Sequence, residues 1–216
     1  TGAHFVLSDN KELKTVATDS HRMSQKVITL EKNGDNFDVV IPSRSLREFT
    51  SVFSDDIETV EVFFANNQIL FRSEHISFYT RLLEGNYPDT DRLIPTEFNT
   101  EATFNVANLR FAMERARLLS NATQNGTVKL EFKNGVVSSH VHSPEVGRVN
   151  EEIDTSAVSG EDLSISFNPT YLIEALKAID SEQVVIRFIS SVRPFTLVPE
   201  GNEQGFIQLI TPVRTN

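Results

Sequence analysis

Short runs of alternating apolar and polar residues dominate the chain, and they come in pairs. VEVFF (60–64) and QILFR (68–72) flank Asn66-Asn67. VKLEF (128–132) and VVSSHVH (136–142) flank Asn134-Gly135, and HFVLS (4–8) and ELKTVA (12–17) flank Asp9-Asn10. Strand-like runs separated by such residues predict β-hairpins with tight turns. Three stretches repeat apolar residues at helical spacing instead: SRSLREFTSVF (43–53), NVANLRFAMERARLLSN (105–121) and NPTYLIEALKAI (168–179). The first follows the strand DVVI and Pro42, and the third follows the strand LSISF and contains Pro169. A proline near a helix start costs little, because its missing N–H has no helical partner there. Many strands with few helices predict an α+β fold.

The pattern repeats. Gly2 and Gly126 each open a hairpin 124 residues apart, Pro42 and Pro169 are offset by 127, and VEVFF at 60 matches VVIRF at 184 with an offset of 124. Two domains of one architecture follow, 1–95 and 96–216, divided within the polar stretch EGNYPDTDRLIPTEFNTEA (84–102). The second copy has a strand and a helix, ATFNVANLRFAMERARLLS, ahead of Gly126, and nothing matches them ahead of Gly2. The expectation is a piece of a longer protein whose first domain lacks one strand and one helix of its core.

Composition narrows the function. With 39% hydrophobic and 23% charged residues the 216-residue chain suits a globular protein rather than a disordered one. No apolar run approaches the 18 residues of a membrane span, so no membrane partner is expected. There is no Cys, which excludes disulfides and thiolate metal sites and fits a reducing compartment. The net charge of −10 argues against a nucleic-acid partner only if it is evenly spread. It is not. Arg44, Arg47, Arg110, Arg115, Arg117 and Lys177 outnumber Glu48, Glu114 and Glu174 on the three helices, which leaves −13 for the remainder. Such helices are either ordinary solvated faces or one face turned towards a polyanion, whose phosphates need positive charge but no sequence code.

The stretch ATDSHRM (17–23) sets Asp19, Ser20 and His21 side by side, the residue types of a hydrolase. Read as an extended continuation of ELKTV, it points neighbours to opposite faces, so the three cannot form a relay. No G-x-S-x-G elbow and no Gly-rich phosphate loop occurs. His140 and His142 share one face of a strand, but no third metal ligand is evident. Neither a metal nor a cofactor is expected, and the hydrolase is the runner-up reading.

LKTVATDSHRM (13–23), VVIPSRSL (39–46), RLLEGNYPDTDRLIP (81–95), ARLLSN (116–121), SFNPTYLIEAL (166–176) and QLITPVR (208–214) together resemble the bacterial beta sliding clamps, the processivity subunits of the replicative DNA polymerase. The resemblance spans nearly the whole chain. It implies the DNA-clamp fold: repeated domains with antiparallel sheets outside and helices lining a channel around duplex DNA. This chain would be a truncated middle domain and a complete C-terminal domain. It also implies a cytoplasmic, non-enzymatic protein that forms a head-to-tail homodimer when whole, with its C-terminal face present in this chain and the complement absent.

Carried over by position, the resemblance implies a pocket for short linear peptides of polymerase and clamp-loader subunits. Its residues would be Thr18, Ser20, His21, Arg22, Met23, Pro88, Arg92 and Leu93 from the first domain. The second would supply Asn168, Tyr171, Val192, Pro194, Leu209, Ile210, Thr211, Pro212, Val213 and Arg214. Met23, Leu93, Leu209, Ile210 and Val213 would line apolar subsites, and His21, Arg22, Arg92 and Asn168 would offer polar contacts. Leu209 to Val213 read equally as a last core strand. Arg44, Arg47, Arg110, Arg115 and Lys177 become candidate phosphate contacts. Two departures stand out: the family often has Gly where Ser20 stands, and this chain ends in TPVRTN.

Overall fold

The computed structural model describes residues 2–54, 56–120, 126–143, 147–203 and 205–214. They form two compact units, Thr1–Asp19 with Gln25–Thr90, and Ser20–Ser24 with Asp91–Asn216. The five-residue segment 20–24 thus belongs to the second unit although its neighbours in sequence belong to the first.

The first stretch of chain contains β1 (Gly2–Ser8), β2 (Glu12–Thr18), β3 (Arg22–Thr29), β4 (Phe37–Pro42), α1 (Ser43–Val52), β5 (Glu61–Ala65), β6 (Gln68–Arg72) and β7 (Ser77–Arg81). After a 3-10 turn at Asp91–Leu93 come β8 (Thr100–Asn105), α2 (Val106–Ser120), β9 (Val128–Lys133), β10 (Val136–Ser143), β11 (Gly147–Ile153), β12 (Ala157–Gly160) and β13 (Leu163–Phe167). The chain continues with α3 (Pro169–Lys177), β14 (Gln183–Phe188), β15 (Phe195–Pro199) and β16 (Phe206–Ile210). Asn121, the end of the expected second helix, lies outside the described residues.

The turn residues act as their chemistry demands. Asn134 and Gly135 take φ of 53° and 78°, and Lys133 pairs directly with Val136. Two residues at positive φ match the strand twist, and Gly and Asn reach that region at least cost. Asp9 and Asn10, at 49° and 62°, do the same after β1.

Each unit repeats one order. In the first, β3-β2-β1-β4 form a sheet, α1 follows, and β5-β6-β7 form another. In the second, the order β11-β10-β9-β13 is followed by α3 and by β14-β15-β16. The second unit adds β8, paired with β14, β12, paired with β8, and α2, which packs on α3.

The additions decide how much apolar surface is covered. The second core runs through Phe104, Leu109, Met113, Leu130, Phe132, Phe167, Leu172, Ile186, Phe188 and Phe195, all at most 2% exposed. The first core centres on Ile41, Phe53, Ile69 and Phe71, with Phe49 stacked on Phe53 at 4.4 Å between ring centroids. There β5 is exposed along its whole length and α1 has no buried residue, whereas α3 buries Pro169, Leu172, Ile173, Ala175 and Leu176.

Candidate functional site

Helix α3 begins where its sequence says it should. The Asn168 side chain accepts a hydrogen bond from the Thr170 amide at 2.9 Å, Pro169 occupies the first turn, and Lys177 sits in the last, where it favours the negative helix end. Its apolar residues turn inwards and leave Tyr171 and Glu174, three apart, on the other side. The cap uses the carbonyl oxygen of the Asn168 side chain, so this residue positions Tyr171 before it offers anything to a ligand.

The connection from β2 to β3 is Asp19-Ser20-His21, with Ser20 at φ 75°. The segment is therefore a sharp turn, not the extended strand the sequence suggested. Ser20 holds a left-handed conformation that suits glycine. The turn delivers His21 and Arg22 to Tyr171. The rings of His21 and Tyr171 stack with centroids 5.9 Å apart, and the Arg22 guanidinium carbon lies 4.8 Å from the Tyr171 centroid. Arg22 also donates from Nη1 to Glu174 Oε2. The Thr211 amide and hydroxyl both donate to the His21 carbonyl, and the Val213 amide donates to the Ser166 carbonyl.

The other expected pocket residues divide by burial. Met23, Leu209 and Ile210 are 2%, 4% and 1% exposed, with Leu209 opposite Thr196 and Ile210 opposite Phe195 in the β15–β16 ladder. They are packed interior. Leu93, Val192 and Val213 are exposed apolar groups, Arg92 and Arg214 are exposed, and Thr211, Pro194 and Pro212 are half-buried. Thr18 ends β2 and Pro88 is exposed; both belong to the first unit, whereas His21, Arg22, Tyr171 and Glu174 belong to the second. Glu174 was not expected. Its only sequence signal is its position one turn from Tyr171.

The candidate phosphate contacts are placed differently from one another. Arg44 and Arg47 are exposed on α1, and Arg44 Nε donates to Glu48 Oε1 at 3.0 Å. On α2, Arg110 lies 5.3 Å from the Phe111 ring and 3.9 Å from Glu114. Arg115 donates from Nε to Glu151 at 3.3 Å, and this hydrogen bonding raises its already high pKa further. Lys177 is exposed at the end of α3. His140 is engaged on both nitrogens: Nδ1 lies 2.7 Å from Asn150 Oδ1 and Nε2 lies 2.8 Å from Ser138 Oγ. His142 is exposed on the same strand, and no group of three metal-ligating side chains occurs among the described residues.

Residues 91–214 match the C-terminal domain of the DNA polymerase III beta subunit, and residues 1–89 match its central domain. The chain belongs to the beta subunit, or beta sliding clamp, family. The beta sliding clamp of Streptococcus pneumoniae TIGR4 is 80% identical over 216 residues, which is all of this chain and 57% of that protein. That of Lactococcus lactis is 54% identical with the same coverage. The crystal structure of the S. pneumoniae beta chain superposes with a TM-score of 0.97, covering 100% of this chain and 57% of that one. The Bacillus subtilis sliding clamp superposes at 0.94 with 37% identity and the same coverage. The chain thus spans about 57% of the length of the curated relatives it matches.

Membership of the sliding-clamp family overturns the hydrolase reading of Asp19, Ser20 and His21. The physical reason is local. In this clamp chain the three residues form the β2–β3 turn, with Ser20 bent into a left-handed conformation and the His21 ring laid against Tyr171. Among the described residues, no helix is long and apolar enough to cross a membrane.

Proposed function

We propose that this chain carries the partner-docking site and part of the DNA-facing surface of a sliding clamp. The whole protein would be a non-enzymatic, cytoplasmic processivity factor that encircles duplex DNA as a head-to-tail homodimer. It would tether the replicative polymerase, clamp-loader subunits and other replication proteins through short linear peptides. The observation that carries the docking reading is the clasp around Tyr171. His21 and Arg22 hold one aromatic ring, with the exposed apolar side chains of Leu93, Val192 and Val213 and the half-buried Pro194 and Pro212 in the same unit. An apolar surface with a few oriented polar groups suits a ligand with aliphatic and aromatic anchors. Met23, Leu209 and Ile210 are buried in the same unit. Arg47, Arg110, Arg115 and Lys177, with Arg44, supply positive charge on helices for phosphates, without any base-reading element.

Titration with a fluorescein-labelled Gln-Leu-Ser-Leu-Phe peptide, followed by anisotropy, tests the docking reading. Saturable binding is expected, weakened at least about tenfold by Tyr171→Ala, which corresponds to about 1.4 kcal/mol. Equal affinity in the variant would place the site elsewhere.

A further inference from the structure

Glu174 is the carboxylate that holds Arg22. It stands on the solvent side of α3 beside Tyr171, because the helix turns Pro169, Leu172, Ile173, Ala175 and Leu176 inwards. Arg22 Nη1 donates to its Oε2, while the same guanidinium lies over the Tyr171 ring at 4.8 Å. The side chains of Arg22 and Glu174 remain 34% and 50% exposed. Both are therefore within reach of any ligand that settles against Tyr171.

A guanidinium is a flat fork of five donors that prefers carboxylates. In Arg22 the fork already serves Glu174, and one face serves an aromatic ring. A ligand carboxylate arriving beside Tyr171 seeks the same donors. Because Glu174 already holds one of those donors, the ligand meets a guanidinium whose charge is largely matched, and it stands beside a second anion. A neutral ligand meets neither cost, because it leaves the pair intact and gains from apolar contact alone.

We propose that Glu174 is a specificity-determining residue of the Tyr171 site, selecting ligands that are uncharged beside the aromatic ring against ligands that carry a carboxylate there. It does so by occupying Arg22 and by repelling a second anion. The inference rests on the docking reading above.

The test uses the full chain, unaltered and as Glu174→Gln, which keeps the side-chain shape and removes the charge. The probes are labelled Gln-Leu-Ser-Leu-Phe, the same peptide with Asp at its central position, and two versions with Asp immediately before or after the five residues. Neutral-peptide affinity is expected to change by less than about twofold. At least one Asp-bearing peptide is expected to bind the variant about five- to tenfold more tightly than the unaltered chain at low ionic strength. That gain should vanish near 1 M salt, where the screening length is about 3 Å. An unchanged ratio of acidic to neutral affinity for every Asp placement would overturn the proposal. So would equal loss of affinity for all four peptides, which would make Glu174 merely structural. If the unaltered chain fails to bind the neutral peptide, the docking reading itself falls, and the selectivity falls with it.

Discussion

Thr211 donates two hydrogen bonds to a single acceptor, the backbone carbonyl of His21, from its amide at 2.9 Å and from its hydroxyl at 2.9 Å. This pair of bonds ties the β2–β3 turn to the segment that follows β16, and so fixes where the His21 ring meets Tyr171.

Thr211→Val separates the two bonds. Valine keeps the volume and the amide bond and removes the hydroxyl. One neutral hydrogen bond contributes about 0.5–1.5 kcal/mol, and the carbonyl keeps a partner, so no buried group is orphaned. Peptide affinity is expected to fall about two- to fivefold in an anisotropy titration. A loss beyond about a hundredfold, or none, would mean that the turn is not held this way.

The hairpins were legible because their signals are local. β6 and β13 coincide with the runs QILFR and LSISF, and Asn134-Gly135 sits at a two-residue turn as its chemistry requires. The repeat was legible for the same reason: identical punctuation recurs at a nearly constant offset. The clasp was less so. The ion pair of Arg22 with Glu174 joins residues 152 apart, and no periodicity reports it. Nor does an apolar residue announce whether it fills a core or lines a groove. Met23, Leu209 and Ile210 are buried, while Leu93 and Val213 are not, although all five are of one chemical kind. The turn at Ser20 was hidden because serine carries no mark of positive φ.

That turn gives a second prediction. A non-glycine residue in the left-handed region costs about 1–2 kcal/mol, and glycine returns about 0.5–1 kcal/mol of this as extra freedom in the unfolded chain. Ser20→Gly should therefore stabilise by up to about 1 kcal/mol in urea unfolding. Ser20→Val, β-branched at the same φ, should destabilise by at least as much. The opposite order would show that the Ser20 hydroxyl outweighs the backbone.

Tyr87 provides a pH test within the first unit. Its ring stacks on His4 with centroids 4.7 Å apart, and its hydroxyl donates to the Val16 carbonyl at 3.3 Å. Burial raises its pKa, opposed by a smaller lowering from a backbone hydrogen bond with Thr18. A raised value means that the folded state holds the proton more tightly than the unfolded chain. The contribution of Tyr87 is thus complete below about pH 10, the unfolded value, and is lost as pH rises through the higher folded value. Tyr87→Phe should be less stable than the unaltered chain at pH 8, by about 1 kcal/mol for the missing hydrogen bond, and the gap should close towards pH 11. A constant gap across that range would contradict the assignment.

Under the proposed function, duplex DNA binding should be weak and governed by counterion release, since the proposed phosphate contacts are helix cations with no base-reading element. Log affinity should fall linearly with log salt, and Arg47→Ala should flatten the slope by about 0.9, the value for one phosphate left without its cation. Glu151→Gln should act oppositely by releasing Arg115 from its carboxylate and tightening binding at low salt. Affinity that survives high salt, or that favours one sequence, would point to base readout instead.

The last prediction compares the two units. The first buries its centre on Ile41, Phe53, Ile69 and Phe71 and leaves β5 exposed along its length, with Val62, Phe63 and Phe64 each 41% exposed. The second closes β8 on β14 and α2 on α3 around a much larger apolar cluster. Local opening is easiest where little apolar packing must be given up. Amides of residues 61–72 should therefore exchange with deuterium well before those of residues 163–176. Leu172→Ala, at a side chain with no exposure, should cost about 2–5 kcal/mol and lower protection throughout the second unit. In the first unit Phe64→Ala, truncating a half-exposed ring whose centroid lies 4.7 Å from that of Phe37, should cost less than Leu172→Ala. Equal protection of the two segments would mean that the coverage of β5 does not limit the stability of its unit. A larger loss from Phe64→Ala than from Leu172→Ala would mean the same.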